Sequence, residues 1–226
     1  AVALGVMASD AGPRGLFVSF EGIDGSGKST QARHLVEHLR SQGHDPVLTR
    51  EPGGSPGAED IRRLLVEGDP GRWSPQTEIL LFTAARRDHL ERTIAPALAE
   101  GRIVVTDRFA DSTRVYQGAA RSGGADLRAL VDRLHAEVIG TEPDLTFVID
   151  TDPDAALARG LARRSGEDRF EEMGIAFQHA LRAGFRALAD AAPARVRLID
   201  GDRGAREIAA EIGAVVAAHL AGRASS

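Results

Sequence analysis

The sequence predicts an α/β fold built on one parallel sheet, and three observations carry that prediction. Short β-branched or aromatic runs alternate with long amphipathic stretches, the signature of chained βαβ units. The strand-length runs are mostly apolar rather than alternating, as befits strands buried on both faces. The first run leads straight into a glycine-rich stretch and then a helical pattern, a strand-loop-helix order. The 226 residues, 42% hydrophobic and 27% charged, supply material for one sizeable core. One domain is therefore expected over residues 15–221, after a disordered extension over 1–14 and before a short tail over 222–226.

Five strands are read, at Leu16–Phe20, Pro46–Thr49, Ile103–Thr106, Leu145–Ile149 and Val196–Ile199. Apolar residues recurring at spacings of three and four predict helices over Ser29–Ser41, Ala58–Val66, Gln76–Ala99, Ala125–Val138, Pro153–Ala162, Glu172–Ala191 and Ala205–Leu220. Their ends have ordinary chemical causes. Pro153 follows Asp152 at a helix start, Gly101 follows a long helix at its stop, and Pro193 ends another.

Composition excludes several function classes. Without cysteine there is no disulfide, no thiolate metal site and no cysteine nucleophile, and the expected setting is cytoplasmic. Residues 1–14 lack a basic segment leading into an apolar run, so they do not read as a signal peptide. No apolar segment approaches the ~18 residues of a membrane span. A net charge of -5 argues against coating a nucleic-acid polymer, which needs a basic surface. Any bound phosphate must meet a local cluster of arginine and lysine.

The first strand runs into Glu21-Gly22-Ile23-Asp24-Gly25-Ser26-Gly27-Lys28-Ser29-Thr30, which matches G-x-x-x-x-G-K-[ST]. Glycines let successive N–H groups converge on a phosphate, and the helix beginning near Ser29 adds its positive dipole end. Lys28 supplies a point charge for the β- and γ-phosphates of a nucleoside triphosphate. Ser29 is placed to meet Mg²⁺, most of whose remaining ligands would be phosphate and water. This loop alone leaves the reaction open, since motors, switches and small-molecule kinases share it. A GTPase needs an N-K-x-D guanine clamp, and the chain has none.

Four further clusters follow the strand ends or lie on helices, where open α/β sheets gather ligands. Thr49-Arg50-Glu51-Pro52-Gly53-Gly54 places charges before a rigid, glycine-bearing turn that can approach a substrate closely, so Arg50, Glu51 and Pro52 are candidate substrate-binding residues, unless the segment is a solvated loop. Asp107 closes the third strand as a metal-side carboxylate would, and Arg108 beside it suits a phosphate through its planar fork. Phe82 and Arg86 are four apart on one helix face, so a ring for stacking and a donor for a base carbonyl fall together, although a phenylalanine at helical spacing also serves burial. Arg159, Arg163, Arg164 and Arg169 bracket a short polar loop, either a lid over transferring phosphates or a solvated helix end.

These clusters together resemble bacterial thymidylate kinases, from about Gly15 to Leu220. The resemblance rests on Phe20 through Gln31, on Thr49 through Gly54, on Phe82 through Arg86, and on Asp107-Arg108-Phe109 with Ser112 and Tyr116-Gln117. It implies a P-loop NTPase fold with strand order 2-3-1-4-5, a homodimer, Mg·ATP as donor and thymidine monophosphate as acceptor. It further implies that Phe82 stacks on thymine, that Arg86 meets a thymine carbonyl, and that Thr113 and Gln117 lie near the base. Arg108 would hold the acceptor phosphate, Asp24 would face the deoxyribose 3′-hydroxyl, and Tyr116 would crowd out a ribose 2′-hydroxyl. The P-loop carries Gly25 and Ser26 where some members place an arginine, so the lid over about 163–171 would supply it, from Arg163, Arg164 or Arg169. Arg114 and Val115 fill positions that are often small or polar in the family.

Two rivals remain at this point. A deoxynucleoside kinase would phosphorylate a hydroxyl and need a carboxylate base, for which Glu51 is placed. A nucleotide-dependent switch or assembly ATPase would rest on the P-loop alone.

Overall fold

The computed structural model describes residues 14–69, 71–120, 127–156 and 173–224. Five strands, β1 (Phe17–Glu21), β2 (Val47–Arg50), β3 (Val104–Asp107), β4 (Leu145–Asp150) and β5 (Val196–Asp200), form one sheet. Its order is β2-β3-β1-β4-β5 and every pairing is parallel, so the expected 2-3-1-4-5 arrangement holds. Each strand ends one residue later than its apolar run, on Glu21, Arg50, Asp107, Asp150 or Asp200. The ladder is made by backbone groups, so pairs such as Phe20 with Asp107, Arg50 with Asp107 and Asp150 with Asp200 extend it through charged residues. This register lines ionic side chains along the carboxyl edge of the sheet.

Alternation across β1 divides the core. Leu16, Val18 and Phe20 pack on α1 (Lys28–Ser41) and α8 (Ala205–Ala224) through Leu35, Val36, Ile208 and Ile212. Phe17 faces the other way, onto Leu90, Ile94, Val104 and Phe109, its ring 4.9 Å from that of Phe109 in an edge-on contact. Beyond β4, Val148, Tyr116 and Ile23 meet Phe177, Leu181 and Phe185 of α7 (Ile175–Ala191).

α2 (Pro56–Val66) and α3 (Pro75–His89) both begin with proline in the first turn, and Ser74 caps α3 by accepting from Thr77 N–H at 3.2 Å. The helix expected over 76–99 is a continuous helical run from Pro75 to Ala99, in which a π-helical turn at Leu90–Ile94 joins α3 to α4 (Ala95–Ala99). A short helix unanticipated from sequence, α5 (Ala110–Val115), runs into a second π turn at Tyr116–Ala120. The helix expected over 125–138 is observed as α6 (Arg128–Leu134), which leads into a third π turn at His135–Ile139. The helix expected from 172 starts only after Gly174, and the last helix runs four residues further than predicted. Residues 153–156 are helical, while the rest of the segment expected over 153–162 lies outside the described residues. Among the described residues no helix is long and apolar enough to cross a membrane.

Candidate active site

The loop between β1 and α1 is a cradle made by backbone shape. Gly22, Gly25 and Gly27 all have positive φ. At Gly25 the constraint is steric as well, because a Cβ there would lie 2.0 Å from the carbonyl oxygen of Ala156. Lys28 is buried and donates to the carbonyl of Ile23 at 2.7 Å, with Asp24 at 3.9 Å. Burial, reinforced by the neighbouring Arg108, pushes its ammonium pKa down to about 8. The buried Ser26 hydroxyl has no hydrogen-bond partner among the described residues.

Ser29 Oγ donates to Asp107 Oδ2, and the other carboxylate oxygen of Asp107 is buried with no hydrogen-bond partner among the described residues. A hydroxyl and an underused carboxylate are the kind of hard oxygen pair that suits Mg²⁺; Ser29 is the last residue of the motif, and Thr30 follows it in the helix. Among the described residues no group of three His, Cys, Asp or Glu side chains gathers that could hold a metal ion. An open cleft of ≈ 500 Å³ adjoins this pair, walled by Arg33, Thr49, Arg50, Gly54 and Thr93. Arg50 itself is exposed and bonded to Glu59 at 3.3 Å.

Arg108 crosses from β3 to the cradle. Its Nη1 donates to the carbonyl of Gly22 at 3.0 Å and to Ser112 Oγ at 2.9 Å, and its Nη2 donates to Asp24 and to Tyr116 Oη at 3.1 Å. Its φ of 71° is left-handed, a conformation that costs a residue with a side chain about 1–3 kcal/mol. Two hydrogen bonds hold it there: its N–H donates to Phe20 O at 2.9 Å, and its carbonyl accepts from Thr106 Oγ1 at 2.8 Å. Burial alone would raise the Asp24 pKa, but Arg108, Lys28 and the Tyr116 hydroxyl outweigh it and hold the carboxylate below its usual range.

Beneath Arg108 lies a residue that the sequence reading passed over. Glu21 is fully buried and accepts from Phe109 N–H at 2.8 Å and Ser112 Oγ at 2.5 Å. Burial first, then repulsion from Asp111, pushes its carboxyl up to about 7. Glu21 thus ties the end of β1 to the start of α5, which carries Ser112 and Thr113. Its apolar neighbours masked it, since within the motif it reads only as the residue before the first glycine.

The remaining residues surround the same edge. Arg86 is buried, donating from Nε to Glu51 Oε2 at 2.7 Å and from Nη2 to Thr113 Oγ1 at 3.1 Å, with its guanidinium 5.1 Å from the Phe109 ring. Phe82, one turn earlier on α3, is half-buried. Gln117 is buried and donates to Glu78 Oε2 at 3.2 Å. Pro52 follows Glu51 through a cis peptide bond, and its carbonyl accepts from Arg62. Glu51 does not suit the base of a nucleoside kinase: one oxygen is bonded by Arg86 and the other by His89, 3.0 Å away, inside the protein. Arg114 and Val115 face away from this edge. Arg114 joins Asp111, Asp132 and Glu142, and Val115 packs among Tyr116, Phe177 and Phe185. Arg159, Arg163, Arg164 and Arg169 lie outside the described residues.

With this geometry in place, the family model for thymidylate kinase matches residues 20–212. The chain belongs to the thymidylate kinase family. It is 74% identical over 198 residues to the thymidylate kinase of Dinoroseobacter shibae, covering 88% of this chain and 94% of that protein. It is 66% identical over 206 residues to that of Jannaschia sp., covering 91% and 98%. A crystal structure of thymidylate kinase from Ehrlichia chaffeensis superposes with a TM-score of 0.71 at 35% identity, over 90% of this chain and 99% of that one. The π turn at Tyr116–Ala120 carries Tyr116 and Gln117, and the one at Leu90–Ile94 begins four residues after Arg86.

Proposed function

We infer that this chain transfers the γ-phosphoryl group of ATP to thymidine monophosphate, giving ADP and thymidine diphosphate. The observation that carries the reading is the position of Arg108, bonded to the P-loop at Gly22 and Asp24, within a chain of this family. A phosphate held by Arg108 would lie against the γ-phosphate end of the cradle. The acceptor phosphate, with a second pKa near ~6, is already largely a dianion at neutral pH and needs little help from a base. One of its oxygens attacks the γ-phosphorus as the bond to the β,γ-bridging oxygen breaks, and ADP leaves with that electron pair.

The obstacle is repulsion between two anions. Lys28 and Arg108 neutralise charge along the line of transfer, and the P-loop amides hold the donor in place. Mg²⁺, when bound beside Ser29 and Asp107, would neutralise the donor phosphates. Phe82, Arg86, Thr113 and Gln117 are assigned to the base, Asp24 and Tyr116 to the sugar, Ser112 and Arg50 to the surroundings of the acceptor, and Arg163, Arg164 and Arg169 to the transferring phosphate. A homodimer is part of the same reading.

The test is ADP release from Mg·ATP with thymidine monophosphate, deoxyuridine monophosphate, deoxycytidine monophosphate, adenosine monophosphate and thymidine in turn. Release with thymidine monophosphate, and more weakly with its methyl-less analogue, is expected, because one methyl in an apolar pocket is worth ~1–3 kcal/mol. Release with thymidine alone would transfer the assignment to a nucleoside kinase.

A further inference from the structure

One buried polar chain has no part in the transfer step. It begins at Thr49 near the end of β2, whose Oγ1 lies 2.7 Å from His89 Nε2. His89 Nδ1 is 3.0 Å from Glu51 Oε1, Glu51 Oε2 is 2.7 Å from Arg86 Nε, and Arg86 Nη2 is 3.1 Å from Thr113 Oγ1. The side chain of His89 is fully buried, and those of Glu51 and Arg86 are 3% and 4% exposed. An ionised carboxylate only accepts, so His89 Nδ1 carries the proton in this contact.

The surroundings leave His89 no freedom. A Cβ on Gly54 would come within 2.4 Å of both His89 Nε2 and Thr49 Oγ1, so the Gly53-Gly54 turn is closed directly over the ring. The helix changes to a π turn immediately after His89, and Thr93 within that turn donates to Gly54 O at 2.7 Å. Such turns re-aim side chains and recur at functional sites. The outcome for Arg86 is specific: Nε and Nη2 are engaged, while Nη1 makes no hydrogen bond among the described residues.

We propose that His89 is a positioning residue for base recognition: through Glu51 it fixes the plane of the Arg86 guanidinium so that the remaining donor meets an oxo group of the pyrimidine. This rests on the function proposed above. A guanidinium only donates, so it accepts a carbonyl and rejects an amino group at the same place. The firmer its orientation, the larger the preference for thymidine monophosphate over deoxycytidine monophosphate.

The test is steady-state kinetics of the full chain with both acceptors. His89→Leu should raise KM for thymidine monophosphate about tenfold, the scale of one lost hydrogen bond to a charged group, and leave KM for ATP within about twofold. His89→Asn, which keeps a donor at the Nδ1 position, should recover most of that loss. In an Arg86→Ala background His89→Leu should add nothing. Equal rises in both KM values, or an undiminished effect without Arg86, would overturn the proposal. If His89→Leu does not fold, the isosteric Thr49→Val serves, with about a threefold rise in KM for the acceptor alone expected and no change counting against it. Wild-type protein inactive on thymidine monophosphate would remove the proposed function and this inference together, whereas an active wild type with insensitive variants removes only the inference.

Discussion

The donor and acceptor halves of the site are built in opposite ways. The cradle is local: ten consecutive residues, three glycines with positive φ and a helix start supply its backbone donors, and Lys28 is its one cation. The acceptor half is assembled from β1, the β2 loop, α3, β3 and α5, and its side chains hold one another by hydrogen bonds of which several span 27 to 92 positions. A backbone cradle concentrates its risk in one charge, whereas a side-chain network spreads it over many partners.

The steepest way to probe that contrast is Lys28→Ala, expected to lower turnover at least ~100-fold in a folded protein, as loss of a single electrostatic group does. Turnover near wild type would show that the cradle does not depend on its lysine. Arg108→Lys comes next: it keeps the charge but loses the fork that reaches Gly22, Asp24, Ser112 and Tyr116 together. A fall of about tenfold in kcat/KM for the acceptor is expected, with KM for ATP little changed. An equal loss for both substrates would merge the two halves.

A stability effect separates them further. The Glu21 carboxyl, raised to about 7 in the folded protein, stays protonated over a range where the unfolded chain ionises. Its contribution is therefore fully present below about pH 4.5 and lost as pH rises toward 7. Glu21→Gln imitates the protonated form, so its stability relative to wild type should increase by about 1–3 kcal/mol between pH 4.5 and 8 in denaturant melts. A gap independent of pH would contradict the raised pKa.

The smallest effect lies in the cradle. Lys28, at about 8 in the free protein, should take up a proton when ATP binds at pH 8.5 and take up almost none at pH 6.5. Calorimetry in two buffers of different ionisation enthalpy reads this directly. No uptake at the higher pH would mean the lysine is already fully charged.

The same contrast decides what was legible beforehand. The P-loop could be read from residue types because its chemistry follows from spacing, and the five apolar runs placed all five strands. Each strand nevertheless ends one residue beyond its apolar run, and β1, β2 and β3 also start one residue later than expected, since hydrophobicity stops where the ladder continues through Glu21, Arg50, Asp107, Asp150 and Asp200. α5 was missed because Asp111, Ser112 and Thr113 carry little helical pattern, and the π turns because one inserted residue leaves the apolar spacing almost intact. Phe82 and Arg86 can be paired from their spacing on one helix face, whereas a role for Tyr116 comes only from family likeness. His89 and Glu21 escaped even that, because each has meaning only through partners that are distant in sequence.

The most direct test follows the phosphorus. ATP labelled at the γ-position is incubated with the chain and either thymidine monophosphate or thymidine, and the products are separated. The account predicts label in thymidine diphosphate from the first acceptor, none in thymidine monophosphate from the second, and loss of the first product in Arg108→Ala. Label transferred to thymidine, or released as free phosphate whichever acceptor is present, would contradict it.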